Sequence, residues 1–215
     1  MNKAESFWDK TSKDYDKSEQ RFEYIHNKTR ENSKNYLNAN HVVLDYGCGT
    51  GTTSCELASQ VKEIHAIDIS SEMIEFAKNK AANRMIENIH FSHTTIFDKQ
   101  YKAESFDVIL AFNMLHTIDN PDDAIQRIHE LLKPDGLFIS TTPCLGGKKS
   151  FMVSMQMYLV SLLSKFGVIP IPIRRYKRSD LDDLIANEDF HKVTDEEIYS
   201  GASSYFVVVK KASNS

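Results

Sequence analysis

Residues 42–51 read Val-Val-Leu-Asp-Tyr-Gly-Cys-Gly-Thr-Gly. An apolar run closes on an acid, Asp45, and three glycines follow at alternate positions: Gly47, Gly49 and Gly51. A buried strand that ends in such a turn and opens a helix makes a binding corner of the nucleotide type. Glycine suits it because a ligand must approach the main chain with no Cβ in the way. The next apolar run, Ile64-His65-Ala66-Ile67, ends on a second acid, Asp68, seventeen residues after Gly51. That interval holds one helix and a tight return, as a parallel crossover requires. The corner is not a dinucleotide fingerprint, because the third glycine of G-x-G-x-x-G falls on Thr52; nor is it a P-loop, which needs G-K-[ST]. The plain alternative is a tight turn between strand and helix.

Working outward, apolar runs alternate with helical patterns. The spacing predicts strands near 42–46, 63–68, 88–92, 106–112 and 136–142, with two more at Phe190–Val193 and Ser204–Val209. Helices are predicted near 52–60, 71–82, 122–132 and 179–187. Ser70 or Ser71 can cap one of them, Asn120-Pro121 supplies a cap and a first-turn proline for another, and Lys133-Pro134-Asp135-Gly136 reads as a helix stop and turn. This β-α-β rhythm predicts an α/β fold with a doubly wound parallel sheet. Four segments follow: a helical cap over 1–40, a binding core over 41–143, a lid insertion over 144–178, and a helix with strands completing the core over 179–215.

Composition narrows the class of partner. A chain of 215 residues with 41% hydrophobic and 26% charged residues suits one domain with a full core. The net charge of −4 argues against a broad nucleic-acid surface. Three cysteines, Cys48, Cys55 and Cys144, form no C-x-x-C pair and fit reduced thiols. The polar start lacks an apolar signal core, and no run reaches the ~18–20 apolar residues that span a bilayer. A soluble cytoplasmic protein is the expectation.

The glycine spacing with Asp45 upstream and Asp68 downstream resembles the class I S-adenosylmethionine-dependent methyltransferases. "IHAIDISSEMIEFAK" (64–78) is similar to the family's second motif, "SFDVILAFNMLHTI" (105–118) to its fourth-strand motif, and "LLKPDGLFISTTP" (131–143) to its late helix, turn and fifth strand. The resemblance implies a Rossmann-like, seven-stranded sheet, mostly parallel with an antiparallel last strand and helices on both faces. It implies S-adenosyl-L-methionine as cofactor. Gly47, Cys48, Gly49 and Gly51 then form the turn beside it, Asp45 reaches its amino group, and Asp68 accepts both ribose hydroxyls. Ile69 and Met73 become apolar walls for the adenine, though core packing explains Met73 as well. The acid often found after the third strand is replaced by Thr95, with the Ile96 backbone N–H beside it; Asp98 is the substitute if the register differs. Asn113 and His116 stand at the end of the fourth strand. His116 is either a general base or a structural histidine. Tyr15 resembles an N-terminal tyrosine that closes over the donor, or is an ordinary aromatic.

The resemblance points to a small-molecule acceptor. "NMLH" (113–116) is not the N-P-P-Y of nucleic-acid or protein amide methyltransferases, which remain the alternative together with a catalytically inactive donor-binding protein. His90 and His93 lie three apart on a predicted strand and so face opposite sides, and no metal is expected. In the insertion, apolar positions from Phe151 to Phe166 nearly encircle a helix that includes Met152, Met155 and Met157. Such a helix is normally buried in the core. The other readings are a deformable wall for an apolar acceptor, or peripheral membrane contact helped by Lys165, Arg174, Arg175, Lys177 and Arg178.

Overall fold

The computed structural model describes residues 3–147, 150–165 and 168–213. The side chains of Met157 and Lys165, and all of Phe166, lie outside the described residues. Two helices, α1 (Lys3–Glu19) and α2 (Glu23–Lys34), precede the sheet. Then follow β1 (Val42–Tyr46), α3 (Thr52–Leu57), β2 (Glu63–Asp68), α4 (Ser71–Asn83), β3 (Ile89–His93), β4 (Phe106–Phe112), α5 (Pro121–Leu131) and β5 (Leu132–Pro143). The chain closes with α6 (Phe151–Lys165), α7 (Arg178–Ala186), β6 (Phe190–Tyr199) and β7 (Ser203–Lys211).

Seven strands form one sheet in the order β3-β2-β1-β4-β5-β7-β6. The first five run parallel, and β7 is antiparallel to both its neighbours. Alternation along a strand sends successive side chains to opposite faces, so each face acquires its own core. Leu44, Ile109 and Phe138 pack with Ile125 and Ile128 of α5 and Leu181 of α7 on one face. Val43, Leu110 and Phe206 pack with Ile25 of α2 and Leu57 of α3 on the other. The crossover direction reverses between β1 and β4, and a ligand crevice is expected beyond the carboxyl ends of those strands.

Local signals account for most boundaries. The Ser70 hydroxyl caps α4 by accepting the Met73 N–H at 3.1 Å. Asn120 makes no such bond, and α5 starts on Pro121 alone. The Lys133–Gly136 turn is absorbed into β5 as an excursion: Leu132 pairs with Phe106, while Leu137 pairs with Val108. Among the described residues, no helix is long and apolar enough to cross a membrane.

The insertion departs from its predicted burial. Instead of filling the core, α6 leaves Phe151, Met152, Met155, Tyr158, Leu159 and Leu163 exposed. The core faces are already filled by α5, α7, α2 and α3. The helix rests instead against the turn between β6 and β7, where Ser150 N–H donates to the Gly201 carbonyl at 2.8 Å.

Candidate functional site

The β1–α3 corner is built as its glycines demand. Gly47, Gly49 and Gly51 all adopt left-handed φ, at +74°, +53° and +73°. Gly51 also lies where an added Cβ would stand 2.7 Å from the Ala77 Cβ. Its role is therefore close packing of turn against α4, and it lines neither of the two cavities at the corner. Gly47 and Cys48 donate their N–H groups to the Ile67 carbonyl at 2.9 and 3.0 Å, tying the turn to β2.

Two cavities flank this turn and share Tyr15, Gly47, Phe112 and Asn113 in their walls. The smaller, about 90 Å³, is bounded by Trp8, Gly49, Asp68, Ile69, Met73, Met114, Thr117 and Ile118. Asp68 gives one oxygen to the Gly49 N–H and the other to the Ser70 N–H, each at 2.9 Å. Enclosure pushes its carboxyl up, and those donors pull it back. The carboxyl lines the cavity, and a carboxylate has more acceptor sites than these donors fill, which leaves capacity for a ligand hydroxyl.

The larger cavity, about 330 Å³, runs from Asp45, Gly47, Cys48 and Asn113 to Glu19, His26 and Arg30 on the first two helices. Asp45 is buried and accepts the Ser54 hydroxyl. Burial pushes its carboxyl up to about 6, against the lowering effect of Ser54, and the nearby Asp68 charge adds to the rise. Burial likewise drives the Cys48 thiol up, which favours the neutral thiol. His26 Nδ1 lies 3.2 Å from the Asn113 amide nitrogen, and its Nε2 is 2.9 Å from Glu19 Oε2. The amide nitrogen can only donate, so Nδ1 accepts, while Nε2 stands beside the carboxylate without a hydrogen bond to it. Asn113 holds a left-handed φ of +56°, a strain of ~1–3 kcal/mol that functional sites commonly carry. Arg30, itself buried, reaches Glu56 at 2.6 Å.

The sequence-predicted residues divide clearly. Asp45, Gly47, Cys48, Gly49, Asp68, Ile69, Met73, Asn113 and Tyr15 converge on the two cavities. Thr95 is exposed and Ile96 is fully buried in the core, and neither lines a cavity. Asp98 instead accepts the Thr94 hydroxyl at 2.7 Å. His116 lines neither cavity; burial lowers its imidazole to about 4, and its carbonyl accepts the Arg174 N–H. Among the described residues, none of 144–178 lines either cavity. Trp8, Glu19, His26 and Arg30 are additions. The lone tryptophan in a polar terminus was their sole sequence signal.

The α1 helix is strapped over the corner. Asp9 accepts from the Ser70 hydroxyl at 2.6 Å, and Lys80 Nζ joins Asp16 at 2.8 Å to the Thr52 hydroxyl. Tyr15 lies across Gly49, its ring 3.5 Å from the place a Cβ would occupy. A cation with a ribose-like portion fits this arrangement: bare main chain, a carboxyl at each strand end and apolar walls beside Asp68.

Comparison with known proteins follows the same lines. A family model described as a methyltransferase domain matches residues 37–197. A ubiquinone biosynthesis O-methyltransferase of Haemophilus ducreyi is 37% identical over 132 residues, covering 57% of this chain and 54% of that protein. The chain thus spans about half the length of that curated relative. Among solved structures, the YcgJ protein of Bacillus subtilis superposes with a TM-score of 0.70 at 16% identity, covering 88% of this chain and all of that one. Geranyl diphosphate C-methyltransferase of Streptomyces coelicolor, solved with S-adenosyl-L-homocysteine, gives 0.66 at 12% identity over 85% and 78% of the two chains. The chain belongs to the methyltransferase-domain family, with the class I, S-adenosylmethionine-dependent architecture that its motifs resemble.

Proposed function

We propose that the protein transfers the methyl group of S-adenosyl-L-methionine to a small-molecule acceptor. The observation that carries this reading is the Asp68 carboxyl, held by two backbone N–H groups in the cavity walled by Trp8, Ile69 and Met73. Asp68 holds the ribose, those three side chains flank the adenine, and Asp45 attracts the donor's amino group. The donor, when bound, supplies a methyl group already activated by its sulfonium charge. The chain's task is alignment and exclusion of water, and proximity can contribute ~7–11 kcal/mol toward the barrier.

The acceptor occupies the larger cavity, beyond Asn113. There His26 Nδ1 gives up the Asn113 amide N–H and takes the acceptor's proton in its place, and Glu19 beside Nε2 steadies the imidazolium that forms. His116 serves as packing rather than as the base, because it stands outside the cavity. The cavity's lining of carboxyl, amide and guanidinium groups favours a polar acceptor head, and an oxygen nucleophile fits a histidine base. The O-methyltransferase relative supports that choice. Incubation with methyl-labelled donor and cell extract, followed by separation of small molecules, lipids, RNA and protein, tests the reading. Label should appear in the small-molecule fraction; label confined to RNA or protein overturns it.

A further inference from the structure

The insertion carries a surface that neither cavity uses. Along α6, Phe151, Met152, Met155, Tyr158, Leu159 and Leu163 are all exposed. At ~100° per residue they share an arc of roughly 140°, one continuous face. The opposite side is anchored: Val153 packs toward Gly201, and the Ser150 N–H bonds the Gly201 carbonyl. The apolar face therefore points away from the protein by construction. Clustered apolar exposure of this kind marks a contact surface.

Charge identifies the partner. Residues 144–178 hold seven Lys and Arg and no Asp or Glu. The other 180 residues hold all 30 acids against 19 Lys and Arg, a net of −11. Such separation of charge within an acidic chain places a cationic, apolar element against an anionic, apolar partner. In the structure, Arg174 donates its guanidinium to the Ile118 and Asp119 carbonyls, and no described acid forms an ion pair with it, while Arg178 is paired with Asp195 at 2.6 Å. A second copy of the chain would bring the same positive segment against itself, an unfavourable pairing. We propose that α6 is a membrane-surface helix that seats the protein on anionic lipid, its apolar face in the headgroup–acyl boundary. The β6–β7 turn beneath it lies at the carboxyl edge of the sheet, the edge onto which both cavities open. Docking there brings the site close to the lipid without any segment crossing it.

Co-sedimentation with vesicles tests the assignment, using phosphatidylcholine alone and phosphatidylcholine with about one quarter phosphatidylglycerol. The protein should pellet with the anionic vesicles, remain in solution with the neutral ones, and be released by ~0.5 M salt. Met152→Glu with Met155→Glu, both at exposed positions, should cut the bound fraction about tenfold or more. The same variant should keep its donor affinity in calorimetry, which separates this surface from the methyl-transfer site. Protein that stays in solution with both vesicles, or pellets equally with both, overturns the proposal. So does unchanged vesicle binding by the variant. A dimer in analytical ultracentrifugation that the two substitutions split, with no vesicle binding, would assign the face to a second copy instead.

Discussion

Asp68 and Asp45 end adjacent parallel strands, yet their surroundings set them different tasks. Asp68 is held by main-chain donors on both oxygens and faces the cavity it lines. Hydrogen bonds to a charged group are worth ~1.5–3 kcal/mol. Asp68→Ala should therefore weaken donor binding by about one to two decades at ~1.4 kcal/mol per decade, measured by calorimetry. Unchanged affinity would remove the ribose assignment. Asp45 has one hydroxyl partner, and its carboxyl is raised to about 6 by burial, above the ordinary value of 3.8. The folded chain thus holds this proton more tightly than the unfolded chain does. The resulting penalty on folding is full above pH 6 and fades as pH falls toward 4. Asp45→Asn should raise the midpoint of thermal unfolding at pH 7, by at most about 3 kcal/mol of stability. In the wild type, donor affinity should fall as pH drops through about 6, when the carboxylate facing the donor's ammonium is lost. The amide variant should bind weakly and show no such pH limb.

Turn and helix together decide what the corner can bind. Gly49 and Gly51 share a left-handed backbone, but they differ in what surrounds them. A Cβ on Gly49 meets only the edge of the Tyr15 ring at ordinary contact distance, whereas one on Gly51 collides with Ala77 and Phe91. Gly51→Ala should cost about 2–4 kcal/mol in urea unfolding, from left-handed strain plus overpacking. Gly49→Ala should cost less stability but more donor affinity, because its added methyl stands in the binding corner. The α1 helix is the element that must yield. At about 90 Å³, the cavity beside Asp68 is well below the ~300–1,000 Å³ of usual ligand pockets. If adenosine binds there as proposed, Trp8 and Tyr15 should shift to admit it. Trp8 is the chain's single tryptophan, so donor addition should change its fluorescence directly. Asp16→Ala, which removes the Lys80 anchor, should speed donor release and raise amide exchange across α1.

The sheet couples these local events to global stability. Both core faces depend on β1 and β4, and the binding turn is the continuation of β1. A ligand bound there stabilises the entire cooperative unit by linkage, ~2.7 kcal/mol at a hundredfold excess over Kd. For a domain of this size the unfolding midpoint should rise about 5–10 °C with S-adenosylmethionine or its demethylated product. NADH should leave it unchanged, since the turn lacks the dinucleotide spacing. A rise with NADH and none with the sulfonium donor would overturn the proposed function.

Periodicity and turn chemistry specify the parallel core within the sequence itself. Strands 42–46, 63–68 and 106–112 lie where predicted, because each is an apolar run bounded by an acid or a turn. The corner residues Asp45, Gly47, Gly49 and Asp68 were legible for the same reason: strand end, turn and strand end are close in sequence. Contacts across long separations were not legible. Asn113 meets His26 from 87 residues away, and Lys80 meets Asp16 from 64. No local pattern encodes such a meeting, which depends on how the first helices pack against the finished sheet. The α6 helix shows the same limit from the other side. Its apolar composition is plain in the chain, but whether that face is buried depends on whether the core still has room, and the helices on both faces of the sheet had already filled it.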